Sequence, residues 1–263
     1  MAAGKGRVAT SARPAPRTAA PPRNFTQWSL CKTVGPGTLP GAMNVARCLE
    51  ISEYDALLAA ANRRRGPTAP RDVALLTCLR RTGYRIHELL AVQIGDLLTP
   101  AVRQAERKIR PQDLPSRVAV RARYMKGGKR PRTVVLHDVA RKALAHWLEC
   151  LRQREPIAAN WPVWIGQTAR RAEPAAGRAT APRSITRQRA WQIVHELCRL
   201  AGIDERNVGL HSFRRLFVED VLRASGGSMR MAQIAIGHTN QLTTERYARR
   251  DQAQADRCIL AVP

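Results

Sequence analysis

The stretch that organises the predicted fold reads Thr82-Gly83-Tyr84-Arg85-Ile86-His87-Glu88-Leu89. Before it, Pro70 marks the start of a helix with apolar residues at helical spacing, and Gly83 marks its end. After it, the apolar spacing predicts a further helix over Ile86–Leu97. The stretch therefore lies between two predicted helices, and it places the charged side chains of Arg85 and Glu88 near their junction.

Helices dominate the rest of the pattern. Good N-cap residues precede three further apolar patterns, at Ser52, Asp138 and Ser184. The helix after Ser184 is expected to end at Gly202, with three leucine or isoleucine residues facing inward: Ile193, Leu197 and Leu200. The last predicted helices cover His211–Ala224, Met231–Gly237 and Thr243–Ala248.

One small sheet is predicted between these helices. In Arg117–Lys126, apolar residues alternate with arginines, which is typical of a strand with one buried face. Gly127-Gly128 turns the chain, and Arg132–Leu136 returns as the antiparallel partner. The predicted fold class is therefore α+β, mainly helical with a small antiparallel β-sheet, and Lys126 lies at the hairpin tip.

The composition indicates a polyanionic partner. The chain has 263 residues, and 45 Lys and Arg against 20 Asp and Glu give a net charge of +25. Such a balance favours nucleic acid, with a ribosome-associated or heparin-like binder as the alternative. The six cysteines form no C-x-x-C pair, so they predict neither a zinc site nor a disulfide framework. No apolar run is long enough to predict a membrane span.

Several segments fall outside the helical pattern. Residues 1–46 are rich in Ala, Pro, Gly and Arg, and we expect a disordered basic tail that contacts phosphates without sequence preference. A mitochondrial transit peptide is the alternative for this segment. Residues 99–116 and 166–183 are expected to be loops or insertions. The predicted domain covers 47–250, and 251–263 is expected to be a C-terminal tail that contacts a neighbouring subunit.

Four motifs, in this order, resemble the catalytic domain of the tyrosine recombinases, the phage integrase family. Each is weak alone, but together they cover most of the ordered sequence, from about residue 51 to residue 249. The resemblance implies the fold of that catalytic domain. The motifs are Thr82-Gly83-x-Arg85-x-x-Glu88, Lys126-Gly127-Gly128-Lys129-x-x-x-Val134-x-Leu136, His211-x-x-Arg214, and Gly237-His238 followed nine residues later by Tyr247.

The resemblance implies a site-specific recombinase or integrase that cleaves and rejoins DNA strands through a 3′-phosphotyrosyl intermediate, without metal, ATP or another cofactor. Tyr247 would be the nucleophile and His211 would take its proton. Arg85 and Arg214 would hold the non-bridging phosphate oxygens, because a planar guanidinium matches phosphate. Both arginines are expected to face the surface, so that folding does not depend on them. Glu88 would orient Arg85 or His211.

The leaving group needs a proton when the phosphodiester breaks. The resemblance implies that a lysine of the hairpin supplies it, and the family pattern favours Lys126 over Lys129. His238 would donate a hydrogen bond to the scissile phosphate. Further DNA contacts are expected from basic residues of the same hairpin, namely Arg121, Arg123, Lys129 and Arg130.

Partners and alternatives follow from the same resemblance. It implies double-stranded DNA carrying a specific site, a homo-tetramer on that DNA, host DNA-bending proteins as accessory partners, and a place in the bacterial cytoplasm at the nucleoid. Relatives usually carry an N-terminal core-binding domain, and residues 1–46 are too few to form one. The short fimbrial-switch invertases are members that likewise have the catalytic domain alone. The alternatives are a non-catalytic DNA-binding accessory protein derived from a recombinase and a type IB topoisomerase-like enzyme.

Overall fold

Helices make up most of the computed structural model, which describes residues 46–120, 131–154, 156–166 and 182–237. This confirms the predicted fold class, mainly helical with one small antiparallel sheet. In the described ranges, every helix is too short or too polar to cross a membrane. The helices are α1 Ile51–Arg63, α2 Ala69–Thr82, α3 Ile86–Leu90, α4 Pro100–Gln104, α5 Asp138–Arg152, α6 Arg187–Ala201, α7 Leu210–Ala224 and α8 Met229–Ile236, and the strands are β1 Arg117–Val120 and β2 Arg132–Val135.

Helix α2 lies at the centre of the core and contacts α1, α5 and α7. Its buried side chains include Leu75, Leu76 and Leu79. From α5, Trp147 packs into the same core and its indole N–H donates to the carbonyl of Val163 at 2.8 Å. Because α2 is packed on several sides, its C-terminal end is held at a fixed place in the domain. That end carries the Thr82-Gly83 junction.

Two helices end where the sequence predicted. Gly83 follows α2 with φ +56° and Gly202 follows α6 with φ +68°, both in the left-handed region that favours glycine. On α6, Ile193 and Leu197 are buried, but the inward orientation predicted for Leu200 is wrong, since this side chain is exposed. Leu200 lies in the last turn of the helix, where Cys198 and Ala201 contact the core instead.

The three predicted N-caps are each one or two residues from the observed ones. α1 is preceded by Glu50, whose backbone N–H donates to Glu53, so Ser52 lies inside the helix. The cap of α5 is His137 rather than Asp138. The cap of α6 is Thr186, because Ser184 pairs with Ile165 in an isolated β-bridge. Each predicted cap has neighbours whose side chains can also accept a hydrogen bond from the first turn, so the sequence alone does not fix the N-cap residue.

The helix predicted over Ile86–Leu97 is wrong beyond Leu90. There the chain leaves the helix and forms a single 3-10 turn at Ile94–Asp96. The backbone N–H of Ile94 donates to the carbonyl of Trp161 at 2.8 Å, and the next residue pairs with the same distant segment. These non-local bonds replace the intrahelical ones that the local pattern favoured.

The 99–116 segment is more ordered than the predicted loop. It contains α4 and a 3-10 turn at Pro111–Asp113, and Ile109 and Leu114 are part of the core. Residues 167–181, most of the second predicted insertion, lie outside the described residues. So do the predicted helix Thr243–Ala248 and nearly all of the predicted tails.

The two strands pair antiparallel, from Arg117↔Val135 to Val120↔Arg132. In β1, Val118 and Val120 are buried while Arg117 is exposed, which confirms the predicted alternation over these four residues. Residues 121–130, which include the predicted hairpin tip, lie outside the described part of the chain. At its base, Arg132 opens β2 as a buried residue, although it is basic.

The junction after α2 allows a stability test. A side chain at Gly83 would overlap the Phe217 ring, whereas one at Gly202 would meet no atom within 4 Å, although both glycines have positive φ. We expect Gly202→Ala to cost about 1 kcal/mol from backbone strain alone. Gly83→Ala should cost about 3 kcal/mol, because the clash adds to the strain. Urea unfolding of both variants measures the difference.

The double variant Gly83→Ala/Phe217→Ala provides the control. Compared with Phe217→Ala alone, the added Gly83→Ala change should cost no more than Gly202→Ala does. Equal losses for the two single glycine variants would show that the Phe217 contact imposes no constraint.

Candidate active site

A buried carboxylate organises the first half of the site. Glu88 is fully buried at 0% exposure, and its carboxylate accepts from the Arg85 guanidinium at 2.9 Å and from the Arg85 backbone N–H at 2.8 Å. A second guanidinium nitrogen, from Arg132, lies 3.6 Å from the same carboxylate. The turn after α2 thus presents Arg85 in one orientation, with its side chain still partly open to solvent.

Arg214 approaches from α7 and is almost completely buried. One of its terminal nitrogens donates to the carbonyl of Gly83, and the other donates to the carbonyl of Ile236 at 3.1 Å. The expectation that this arginine faces the surface is therefore wrong. The last carbonyls of a helix lack intrahelical partners and carry partial negative charge, so a buried guanidinium is stabilised at the ends of α2 and α8.

Arg132 is a member of the cluster that the sequence analysis missed. Its guanidinium donates to the carbonyls of Ala235 at 2.6 Å, Thr82 at 3.1 Å and Gly83 at 3.4 Å. Burial lowers the pKa of this guanidinium, and the nearby Glu88 carboxylate opposes that shift. A signal for it existed in the sequence, because Arg132 has the same strand phase as Val134 and Leu136, which form the apolar face.

Tyr84 joins the turn to the base of the hairpin. Its buried hydroxyl oxygen lies 2.9 Å from the carbonyl oxygens of both Val118 and Arg132, so its single proton is shared between the two strands. The Arg132 guanidinium lies over the Tyr84 ring, 4.8 Å from its centroid. Burial raises the pKa of Tyr84 to about 12. This phenol therefore stays protonated and acts as a donor.

His211 lies one turn before Arg214 on α7 and is exposed at the surface. Partial desolvation by surrounding atoms lowers its pKa below 6.5, and the positive charges of four arginines lower it further: Arg214, Arg187, Arg85 and Arg215. The neutral imidazole is therefore favoured near pH 7. A neutral ring nitrogen can accept a proton.

The cluster holds more positive than negative charge. Arg85 and Arg132 face the Glu88 carboxylate, and Arg132 and Arg214 both donate to the carbonyl of Gly83. The helix-end carbonyls offset only part of this charge, because each carries a partial charge. Such an arrangement suits an anion. In the described ranges, no group of three or more His, Cys, Asp or Glu side chains could hold a metal ion.

The structure brings four of the predicted site residues together: Arg85, Glu88, His211 and Arg214. Their segments are separated by more than 120 residues of sequence, so the fold and not local spacing unites them. The other predicted residues lie outside the described ranges. These are Lys126, His238, Tyr247 and the predicted DNA contacts Arg121, Arg123, Lys129 and Arg130.

Sequence comparisons place most of the chain in one family. Residues 47–254 match the family model described as the phage integrase family. The chain is 30% identical over 221 residues to tyrosine recombinase XerD of Mycobacterium leprae, covering 83% of this chain and 60% of that protein. It is 27% identical over 201 residues to XerD of Caulobacter vibrioides, covering 76% and 56%. The chain thus spans somewhat more than half the length of these relatives.

Solved structures share the fold. XerA recombinase aligns with a TM-score of 0.59 at 21% identity, covering 81% of this chain and 64% of XerA. XerH recombinase, solved as a post-cleavage complex bound to its palindromic difH substrate, aligns with a TM-score of 0.59 at 18% identity, covering 82% and 53%. At these identities the likeness shows a common fold.

Glu88 provides the stability test of the site. Glu88→Gln removes the carboxylate charge shared by Arg85 and Arg132 in a buried place, so we expect a loss of about 3 kcal/mol in the free energy of unfolding. Glu196→Gln is the matched control, because Glu196 also pairs with two arginines but is 30% exposed. That change should cost less than about 1 kcal/mol. Urea unfolding compares the two, and similar losses would contradict the buried role of Glu88.

Proposed function

The chain belongs to the phage integrase family, and we propose that it is a site-specific DNA recombinase acting through a 3′-phosphotyrosyl intermediate without metal or ATP. The observation that carries this proposal is the cluster of Arg85, Arg132 and Arg214, in which the first two face the Glu88 carboxylate and the last two donate to the carbonyl of Gly83. Positive charge that is fixed before the substrate arrives stabilises the charge that grows on phosphate in the transition state. The net charge of +25 favours the polyanion that carries such a phosphate.

The proposed reaction begins at Tyr247. Its phenolic oxygen forms a bond to the scissile phosphorus, and its proton passes to the neutral imidazole of His211. The bond from phosphorus to the 5′ oxygen breaks, and the leaving oxygen takes a proton from Lys126, or from Lys129 as the alternative. A 5′ hydroxyl then attacks the phosphotyrosyl link and releases Tyr247. The link conserves the phosphodiester bond energy, so the exchange needs no ATP.

Two arginines are proposed to stabilise the negative charge on the non-bridging oxygens during this exchange. Arg85 is the better placed to reach a ligand from solvent, because its side chain is partly exposed while Glu88 fixes its direction. Arg214 contributes its charge from the interior of the domain, where hydrogen bonds to the carbonyls of Gly83 and Ile236 hold its side chain in place. His238 is proposed to donate a further hydrogen bond to the same phosphate.

The proposed partner is double-stranded DNA with a specific recombination site, bound by a homo-tetramer and assisted by host DNA-bending proteins at the nucleoid. Basic residues of the hairpin are proposed to contact the DNA backbone. Residues 1–46 are proposed to add contacts without sequence preference, and 251–263 to contact a neighbouring subunit. Phosphate contacts of this kind position the protein, whereas site choice needs contacts to base edges.

A suicide substrate tests the function. A duplex nicked next to the cleavage position, taken from repeats that flank the gene, loses the short fragment that bears the new 5′ hydroxyl and so traps the covalent complex. We expect the parent protein to form a protease-sensitive adduct with DNA. Tyr247→Phe should abolish that adduct and leave DNA binding unchanged, because only the hydroxyl is removed. An adduct that persists in Tyr247→Phe would move the nucleophile elsewhere.

The lowered pKa of His211 predicts a pH dependence. As the pH falls, the neutral imidazole persists below the ordinary value of 6.5, so the acid limb of the cleavage rate should lie below that pH. Arg187→Gln removes one of the charges that lower the pKa, so the limb should move to higher pH. The move should be partial, since desolvation is the larger cause. Single-turnover adduct formation at saturating DNA, between about pH 5 and pH 8, measures the limb.

Arg189→Gln is the control for this shift. Arg189 lies on the same helix, but it pairs with Glu196 and is not among the charges that act on His211. The acid limb of the cleavage rate of Arg189→Gln should lie at the same pH as that of the parent protein. A limb that stays in place in Arg187→Gln would argue against His211 as the proton acceptor.

A further inference from the structure

We infer that Arg132 is a positioning residue that locks the C-terminal end of α8 and the base of the hairpin onto the turn after α2. No motif assigned it a role. The inference rests on the proposed function, because its consequence is the alignment of three segments that would meet at the scissile phosphate. These segments are the turn with Arg85, the hairpin with Lys126, and the chain that continues from α8 to His238 and Tyr247.

The first link runs to α8. The Arg132 guanidinium donates to the carbonyl of Ala235 at 2.6 Å, one residue before the helix ends at Ile236. The contact is close, since a side chain at Gly237 would lie 3.1 Å from the Arg132 side chain. Gly237 has φ +65° and ends the helix. Arg132 therefore fixes the point from which the next segment departs.

The second link runs to the turn. The same guanidinium donates to the carbonyls of Thr82 and Gly83, the last residue of α2 and the residue after it. It also lies 3.6 Å from the Glu88 carboxylate, which orients Arg85. One side chain thus contacts the ends of two helices and the carboxylate that fixes Arg85.

The third link is made by the backbone of Arg132. Its carbonyl accepts a hydrogen bond from Tyr84, which also bonds to Val118 on the other strand. Arg132 is the first residue of β2 and pairs with Val120, so it lies where the hairpin loop rejoins the sheet. Any shift of Arg132 would move the base of the loop that carries Lys126.

Arginine suits this place better than lysine does. Three carbonyl oxygens and a carboxylate surround the side chain, and a planar guanidinium presents five donors in a fixed fork. A lysine ammonium keeps the charge and has three donors at one point. A single ammonium group cannot donate to the carbonyls at the ends of both α2 and α8 in the way that the guanidinium does. The lock should therefore fail in Arg132→Lys although the charge is retained.

Arg80 offers a matched control. Both arginine side chains are 8% exposed and both face a carboxylate, Asp220 for Arg80 and Glu88 for Arg132. Each also lies over a tyrosine ring, at 4.4 Å from Tyr54 for Arg80. Arg80 joins α1, α2 and α7, and none of its described contacts is to α8 or the hairpin. Loss of stability alone should therefore be similar in the two lysine variants.

The experiment compares Arg132→Lys with Arg80→Lys in the full chain. We expect Arg132→Lys to slow single-turnover adduct formation per folded molecule by about tenfold or more at saturating DNA, because small misplacements of reacting groups are costly. Arg80→Lys should stay within about twofold of the parent rate, since it leaves the site aligned. Hydrogen exchange of the amides in residues 234–237 should be faster in Arg132→Lys only. DNA affinity should not change in either variant.

The two readouts separate the possible failures. Unchanged exchange in Arg132→Lys overturns the lock, and faster exchange with a parental cleavage rate shows that Arg132 is only structural. A parent protein that forms no Tyr247-dependent adduct overturns the proposed function, and hydrogen exchange alone then tests the lock.

If Arg132→Lys fails to fold, Tyr84→Phe takes its place, because it removes the hydrogen bond to the Arg132 carbonyl and keeps the ring. It should slow cleavage without weakening DNA binding, and a parental rate would overturn the third link.

Discussion

The domain depends on the meeting of two helix ends at one pair of buried arginines. Helices α2 and α8 both point their last carbonyls at the same place, where Arg132 and Arg214 fill the missing hydrogen bonds. Without the two guanidinium groups, the negative ends of two helices would face each other across a space closed to water. The carbonyl of Gly83 accepts from both arginines, so the turn before Arg85 is tied to α7 and to β2 at once.

This arrangement explains how a site can carry excess positive charge inside a folded domain. Hydrogen bonds to carbonyls satisfy the terminal nitrogens of both guanidinium groups, while the helix ends and Glu88 reduce the cost of burying the charges. The remaining charge lies beside His211 at the surface, where it lowers the pKa of that imidazole. Stability and chemistry therefore use the same contacts.

The sequence predicted the features that depend on local chemistry. The ends of α2 and α6 followed from Gly83 and Gly202, and α7 was placed within one residue of its start. Features set by distant partners were missed. The predicted helix does not continue beyond Leu90, because the backbone there forms hydrogen bonds to a segment some 65 residues later. Arg214 is buried because the carbonyls of Gly83 and Ile236 accept hydrogen bonds from it. Arg132 was overlooked for the same reason, since a basic residue in a strand usually faces solvent.

The burial of Tyr84 has a consequence for chemical selectivity. An environment rich in arginine favours phenolate over phenol, and a tyrosine beside the cluster would be expected to become reactive toward phosphate. Desolvation instead raises the pKa of Tyr84 to about 12, and its proton is committed to the carbonyls of two strands. The domain can thus place one tyrosine next to its positive charges as an inert structural group. Attack on phosphate by the wrong phenol is avoided by desolvation, without any need to keep the residue at a distance.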